Sequence, residues 1–430
     1  MQAFRNAIRA VSVILALWPS LYGQSLATLF TFAVGSGGGS QPQSGVAVGP
    51  QGQLYGTTPF GGTDNIGLVY ELLPPQSPGG AWTDTVLHSF ASQGEAAYPT
   101  LGLTLGHSGV LYGVTGLNAT YGDGTVFELS PPIPPGIGWH LQILYNFTGA
   151  SGGAENPSGS LALGSDGALY GVTSMGGAAQ GGTVFRLTPP STVGGAWTED
   201  VLYSFGGYTG DGTSPIGNLA IDSSLTLYGA LSAGGAFQGG AIFQLAPPAQ
   251  PGGTWTETLI HSFTGQNGDG YTPAAGLALG PKGLLYGTTK QGGRTGIPFC
   301  KAGCGTVFEL DPPGSPGGPW TETILRALTG VSTGDGSEPN STLALGPNGE
   351  LYGTTLMGGT PAEYGLRGTI FELVPPSVPA GVWTEVLLHR FTGPDGWAPN
   401  GVALGPNSTL YGTTLAGGTS NRGIAFELIP

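Results

Sequence analysis

"LATLFTF" at residues 26–32 and "IAFELIP" at residues 424–430 stand at opposite ends of the chain, and together they decide its fold. The first matches "DTVLHSF" at residues 84–90, the last segment of a four-segment unit that recurs along the chain. Nothing ahead of it supplies the other three segments. The second is the third segment of the last unit, and no fourth follows it. One surplus segment at the start and one vacancy at the end make a whole number of units. An open stack of repeats would instead need two capping units. A closed ring is therefore expected, with the first strand of the chain completing the last unit and no terminal blade left unpaired.

Working outward, a recurring Leu-Tyr-Gly places Tyr55, Tyr112, Tyr170, Tyr228, Tyr286, Tyr352 and Tyr411 in register. Their mean spacing is about 59 residues, a repeat period rather than an element length. Each unit opens with a segment such as "GLALG" (276–280), and a turn such as "GPNG" (346–349) leads to "LYGTT". A Gly-rich loop leads to "GTVFEL" (305–310), and a "PP…PGG" loop leads to "WTETLIHSF" (255–263). In this fourth segment Trp82 precedes Phe90, Trp139 Phe147, Trp197 Phe205, Trp255 Phe263, Trp320 Leu328 and Trp383 Phe391, always with the same even offset. An even offset puts both residues on one face of a strand, whereas a helix would separate them. Four short strands per unit fit a propeller blade, and a β-helix coil needs fewer residues. The expected fold is all-β: a seven-bladed β-propeller with four strands per blade, spanning residues 24–430. In the turn, Pro presets φ and Gly accepts positive φ. The Tyr is expected to pack between blades, and the Gly beside it to let an aromatic ring or backbone approach.

Composition agrees. Of 430 residues 83 are Gly and 36 Pro, yet 39% are hydrophobic. No three-residue glycine period appears, which excludes collagen, and aromatic and β-branched residues recurring between the glycines argue against disorder. The net charge of −14 repels phosphate backbones, so no nucleic-acid partner is expected. The first 23 residues carry Arg5 and Arg9 ahead of the apolar run 10–17 and small residues near Gly23. That is the pattern of a secretory signal peptide, with an apolar core too short to span a membrane. No second apolar segment is long enough to span, so an exported monomer without a membrane span is expected.

The tandem segments "LALGPNGELYGTT" (343–355), "GGTVFRL" (181–187) and "WTETLIHSF" resemble the GloVer repeat of bacterial exported proteins, grouped as choice-of-anchor tandem repeat proteins. The resemblance covers nearly all of the chain after the leader. It implies export and a propeller-like repeat array, and it brings no activity with it. Members carry varied C-terminal sorting anchors. This chain ends at Pro430 within its last strand, so free secretion or periplasmic residence is expected.

Repeated residues build the ring, so function is sought where the units differ. The loops after the second and fourth strands share one face, where propellers usually hold ligands. Five acids recur there, four residues before the Pro that opens the next blade: Glu95, Asp211, Asp269, Asp335 and Asp395. They read as acceptors for sugar hydroxyls or cations such as calcium, or as Asx-turns that satisfy local N–H groups. The Asx-turn reading is the favoured one, and neither a metal nor a cofactor is assigned. The longest loop, "KQGGRTGIPFCKAGCG" (290–305), holds the only cysteines, Cys300 and Cys304, with Lys290, Arg294 and Lys301. In an exported chain the pair reads as a disulfide, since a zinc site would need two further ligands. The neighbouring loop offers Glu363, Tyr364 and Arg367.

Phe30, His88, Tyr145, Tyr203, His261, Arg326 and His389 share one repeat position. A position that accepts any large planar group reads as packing, and no nucleophile motif accompanies the histidines. The function expected is a non-catalytic scaffold binding a glycan or protein through the variable-loop face. Its candidate ligand residues are Arg294, Phe299, Tyr364, Arg367 and Trp397, with Asp211, Asp269, Asp335 and Asp395. The competing expectations are a carbohydrate-active enzyme (hydrolase or lyase) with acids at the channel mouth, and a structural envelope or matrix component.

Overall fold

The computed structural model describes residues 24–430 apart from 34–37, 78, 92–95, 119–121, 133–137, 150–151, 193, 251, 298–299, 316, 331–333, 359–366 and 379–380. Residues 1–23, the expected leader, thus lie outside the described residues, as do Glu95, Phe299, Glu363 and Tyr364. Seven antiparallel sheets form a β-propeller. Blade four illustrates the order: Gly212–Ile221 innermost, then Leu227–Gly234, Ala241–Ala246 and, outermost, Thr256–Ser262. Blade seven is built from Trp397–Leu404, Leu410–Ala416 and Ile424–Ile429, completed by Ser25–Thr31. That last pair is antiparallel, with Leu26 opposite Leu428, so the ring closes as the two chain ends imply. Among the described residues no helix is long and apolar enough to cross a membrane.

The repeated residues meet along the seams between blades. Six of the seven Leu-Tyr-Gly tyrosines stack edge-on against the tryptophan of the following blade, among them Tyr55 on Trp139, Tyr170 on Trp255, Tyr286 on Trp383, and Tyr411 on Trp82 across the closure. Tyr352 faces blade seven, which has no such tryptophan. The Gly after each tyrosine makes room for an aromatic ring of its own blade. A Cβ on Gly287 or Gly353 would overlap the ring of Phe308 or Phe371.

The fourth strand departs from expectation in an informative way. Trp and Phe do not share a face. Trp255 packs back on Tyr170 of blade three, whereas Phe263 packs forward on Phe308 of blade five. The reason is a bulge: Phe243 pairs with Leu259 but Ile242 with His261, so one residue is skipped and the strand turns its side chains over. The same irregularity recurs in the fourth strand of every blade, the N-terminal one included.

A backbone clasp also repeats seven times. The residue before the proline that opens each blade takes positive φ: Gln41, Tyr98, Asn156, Ser214, Thr272, Glu338 and Ala398, all at 53–56°. None is glycine, and a residue before proline ordinarily avoids that region. The turn aims each N–H at a carbonyl of the preceding blade, as Thr272 N donates to Gly239 O at 2.8 Å and Ala398 N to Arg367 O at 3.1 Å. The proline then lies flat on a glycine of that blade, Pro273 on Gly240 and Pro399 on Gly368. Strain of order 1–3 kcal/mol per site is thereby exchanged for an inter-blade hydrogen bond and a close backbone contact.

Candidate functional site

The first strand of each blade starts from the variable-loop face, and these starts together surround a central channel of about 420 Å³. Its polar lining includes Ser158, Asn218, Asn340, Thr342 and Asn400, with glycines and small apolar residues between them. Most of these polar groups staple blades together. Ser158 Oγ donates to Pro215 O at 2.6 Å, Asn340 Nδ2 to Pro399 O at 2.9 Å and Asn400 Nδ2 to Pro42 O at 2.7 Å. Thr342 Oγ1 of blade six reaches over blade five to Asn218 Oδ1 of blade four at 2.6 Å. Blade five allows this because it offers only Ala274, Ala275 and Gly276 at that level. The lining residues carry no ionisable side chain.

Outside the channel, the described loop acids Asp211, Asp269, Asp335 and Asp395 each sit in a different seam and do not converge. Each takes hydrogen bonds from its own loop, as an Asx-type turn does. Asp211 accepts from the N–H groups of Gly206, Gly207 and Gly212 at 2.8–3.1 Å. Asp269 accepts from Thr264 N and Oγ1, both at 2.6 Å. Asp335 and Asp395 do the same with Thr329 and Thr392.

The position read as packing has a second role. The rings of His88, His261 and His389 do stack on Phe90, Phe263 and Phe391, with centroids 4.5–5.0 Å apart. For His261 the bulge points the ring edge into the seam, toward the loop acid Asp269 of its own blade and the strand acid Glu322 of the next, and His389 faces its own loop acid Asp395. That strand acid stands two residues after five of the six fourth-strand tryptophans, as Asp84, Glu199, Glu257, Glu322 and Glu385, whereas Leu141 follows Trp139. Sequence reasoning missed it, although its constant distance from Trp was visible.

The seams fill this arrangement differently. In blade two Tyr145 Oη donates to Glu199 Oε2 at 2.7 Å. Between blades five and six the Arg326 guanidinium bridges Asp335 at 2.8 Å and Glu385 at 2.7 Å. In blade six His389 Nε2 closes on Asp395 at 2.8 Å. Burial works to raise the Asp395 carboxyl, but the bonds from His389 and Thr392 prevail and hold it at about 2. Between blades four and five, His261 Nε2 stands 3.6 Å from Asp269 Oδ1 and 3.5 Å from Glu322 Oε1, beyond good hydrogen-bond range of either. All three atoms are shielded from solvent and lack hydrogen-bond partners. Burial pushes the Glu322 carboxyl up to about 7; His261 opposes this and the nearby Asp269 reinforces it. Glu257, between Tyr203 and Asp211, is likewise pushed up to about 7, first by burial and then by Asp211.

Cys300 and Cys304 form the expected disulfide, their Cα atoms 5.0 Å apart. Ile297 and Cys304 pack on Leu328, which stands where six other units have Phe. Arg294 is exposed in the same loop, and Lys290 Nζ lies 3.4 Å from Glu338 of blade six. Arg367 rests against Gly393 in the loop leading to blade seven. Trp397, half-buried on the first strand of blade seven, donates Nε1–H to Asn421 Oδ1 at 3.3 Å. These residues are thus spread over blades five to seven rather than gathered at one point.

Solved structures resemble the chain in fold. A putative 6-phosphogluconolactonase from Bacteroides uniformis aligns over 86% of this chain and 89% of its own, with 16% identity and a TM-score of 0.50. A glucose dehydrogenase aligns over 94% and 99% with 15% identity and a TM-score of 0.41. The Trypanosoma rangeli sialidase aligns over 83% and 57% with 13% identity and a TM-score of 0.41. Such identities speak to fold and not to chemistry. No curated protein shows a significant match. The profile of the Gloeobacter/Verrucomicrobia repeat matches residues 19–192, 133–315 and 300–430, so the chain belongs to that repeat family.

Proposed function

We propose that the protein is an exported, non-catalytic scaffold that binds a glycan through the loop face on which the channel opens. The observation that carries this reading is the display of Tyr208 and Phe237, 57% and 61% exposed, on loops of blades three and four. Met175, 47% exposed, extends the same sector. Among the described residues most other rings are buried or stacked, so these stand out as exposed flat surfaces, and a flat ring is a platform for the C–H face of a sugar. Trp397, Arg294 and Arg367 extend the proposed surface over blades five to seven. The loop acids Asp211, Asp269, Asp335 and Asp395 are assigned the task of shaping it, since their own loops already engage them. Export is supported by the leader pattern and by the disulfide.

The channel lining supports a binding reading over a hydrolytic one. Glycoside hydrolysis uses two carboxyl groups facing one bond, and the lining offers none.

The test is a thermal-shift screen of the purified protein against a glycan panel, with calcium and chelator arms. A ligand at a hundred times its Kd adds about 2.7 kcal/mol of stability, a measurable rise in melting temperature. The shift is expected to vanish in Tyr208→Ser/Phe237→Ser, whose own melting temperature stays near the parent's because both rings are exposed. An undiminished shift in that variant, or no shift from any glycan, overturns the reading.

A further inference from the structure

Among the described residues, the seam between blades four and five holds a group of atoms that its sister seams do not. His261, on the strand Thr256–Ser262, is fixed by its stack on Phe263. Asp269 uses Oδ2 to hold Thr264, which turns Oδ1 inward. Glu322, on Thr321–Ala327 of the next blade, brings Oε1 from the opposite side. The three atoms lie within 4.8 Å of one another, and none has a hydrogen-bond partner.

The other seams serve as internal controls. Where blade five meets blade six the same geometry exists, with Asp335 and Glu385 in the places of Asp269 and Glu322. There the guanidinium of Arg326 fills the gap and touches both carboxylates at 2.7–2.8 Å. Where blade six meets blade seven, Leu26 takes the place of the strand acid, and His389 closes directly on Asp395 at 2.8 Å. Among the described residues His261 is the only histidine that lies between two acids, and it stands off from both. The gap that arginine fills in one seam is left open by the shorter imidazole in the other.

We infer that His261, Asp269 and Glu322 form a binding site for a divalent transition-metal ion, with zinc the best fit. Zinc takes nitrogen at 2.0–2.1 Å and carboxylate oxygen at 2.0–2.2 Å, so neighbouring ligands of a tetrahedral site stand about 3.4 Å apart. The imidazole nitrogen here is 3.5 and 3.6 Å from the two oxygens. An octahedral ion with similar bonds would need them closer, near 3 Å. Calcium and magnesium prefer all-oxygen sites, and the imidazole disfavours both. Charge agrees: a dication with two carboxylates and a neutral imidazole makes a neutral set in place of two facing anions. The fourth position is left for water or a ligand atom. The bound ion ties the loop of residues 264–269 to the neighbouring blade, the task Arg326 performs one seam on.

The experiment is titration of tag-free, chelator-treated protein with zinc chloride at pH 8, read by calorimetry and by metal analysis after dialysis. One zinc per chain is expected, with no heat from calcium. His261→Ala and Glu322→Gln are each expected to weaken binding on the order of 100-fold. His389→Ala is expected to leave it unchanged. Cobalt substitution should give the visible bands of a tetrahedral site, and Glu322→Gln should lose them. Glu322→Gln conserves shape, and circular dichroism confirms its folding, so loss of metal is separable from loss of structure. No zinc bound at pH 8, where a proton no longer competes, overturns the proposal. So does equal zinc binding by the parent and both variants. None of these outcomes bears on glycan binding at blades three and four.

Discussion

At the residue scale, most of the repeat was legible because its residues recur for packing reasons. The Gly after each tyrosine, the tyrosine itself and the phenylalanine closing six of the seven fourth strands each occupy a seam, as their spacing implies. The strand acids were not legible as site residues. Glu257 reads as an ordinary surface residue of a β-strand until the neighbouring blade is placed against it. Its partial burial has a measurable consequence. The folded Glu257 carboxyl titrates at about 7, against 4.5 for an ordinary glutamate. Between those values the folded protein keeps a proton that the unfolded chain has lost. Stability therefore falls as pH rises through that window and levels off above it. Glu322 adds to the same slope. Urea unfolding from pH 4.5 to 8 should show the decline, and Glu257→Gln should remove part of it by fixing an uncharged side chain of the same shape. Equal slopes in parent and variant would mean that Glu257 is hydrated and titrates normally.

At the element scale, strand number and order were readable but the bulge was not. Trp and Phe eight residues apart satisfy both a flat strand, with one shared face, and a bulged strand, with two. Only the pairing partner distinguishes them, and pairing is non-local. The disulfide loop is the opposite case, since two lone cysteines four apart leave little choice of partner. Its packing explains an irregularity in the repeat: where Leu328 replaces Phe, Ile297 and the disulfide lie on the smaller side chain. Cys300→Ser/Cys304→Ser should therefore cost more than chain entropy alone. Closing so short a loop is worth roughly 2 kcal/mol. Unpacking buried Cys304 from Leu328 adds to that. A guanidinium titration of the parent under reducing conditions separates the two, because reduction opens the loop while leaving both sulfurs in place. A double-serine variant no less stable than the reduced parent would show that the sulfurs contribute nothing to packing.

At the scale of the whole molecule, closure was the feature most plainly written in the sequence, because the surplus segment at the start matches the one missing from the last unit. The ligand surface was the least legible, because it depends on which of many polar loops stay unoccupied by their own contacts. Asp211 and Tyr208 stand three residues apart, yet one is buried in local hydrogen bonds and the other is open to solvent. Closure makes a prediction that no single blade could. The strand Ser25–Thr31 hydrogen-bonds along Ile424–Ile429, and Phe32 just beyond it is 1% exposed against Tyr70 of blade one. Losing a buried phenylalanine costs about 3–5 kcal/mol by itself. Loss of the strand also bares an unpaired edge on blade seven, a template for pairing with other chains. A protein beginning at residue 33 should melt well below the parent and associate with itself, seen by calorimetry and light scattering. A synthetic peptide of residues 24–33 added in trans should restore both properties in a saturable way. The same peptide with Phe32→Ala should bind more weakly, since the ring and not the backbone alone joins blade seven to blade one. If the truncated protein melts with the parent and stays dispersed, the remaining six seams hold the ring without the borrowed strand.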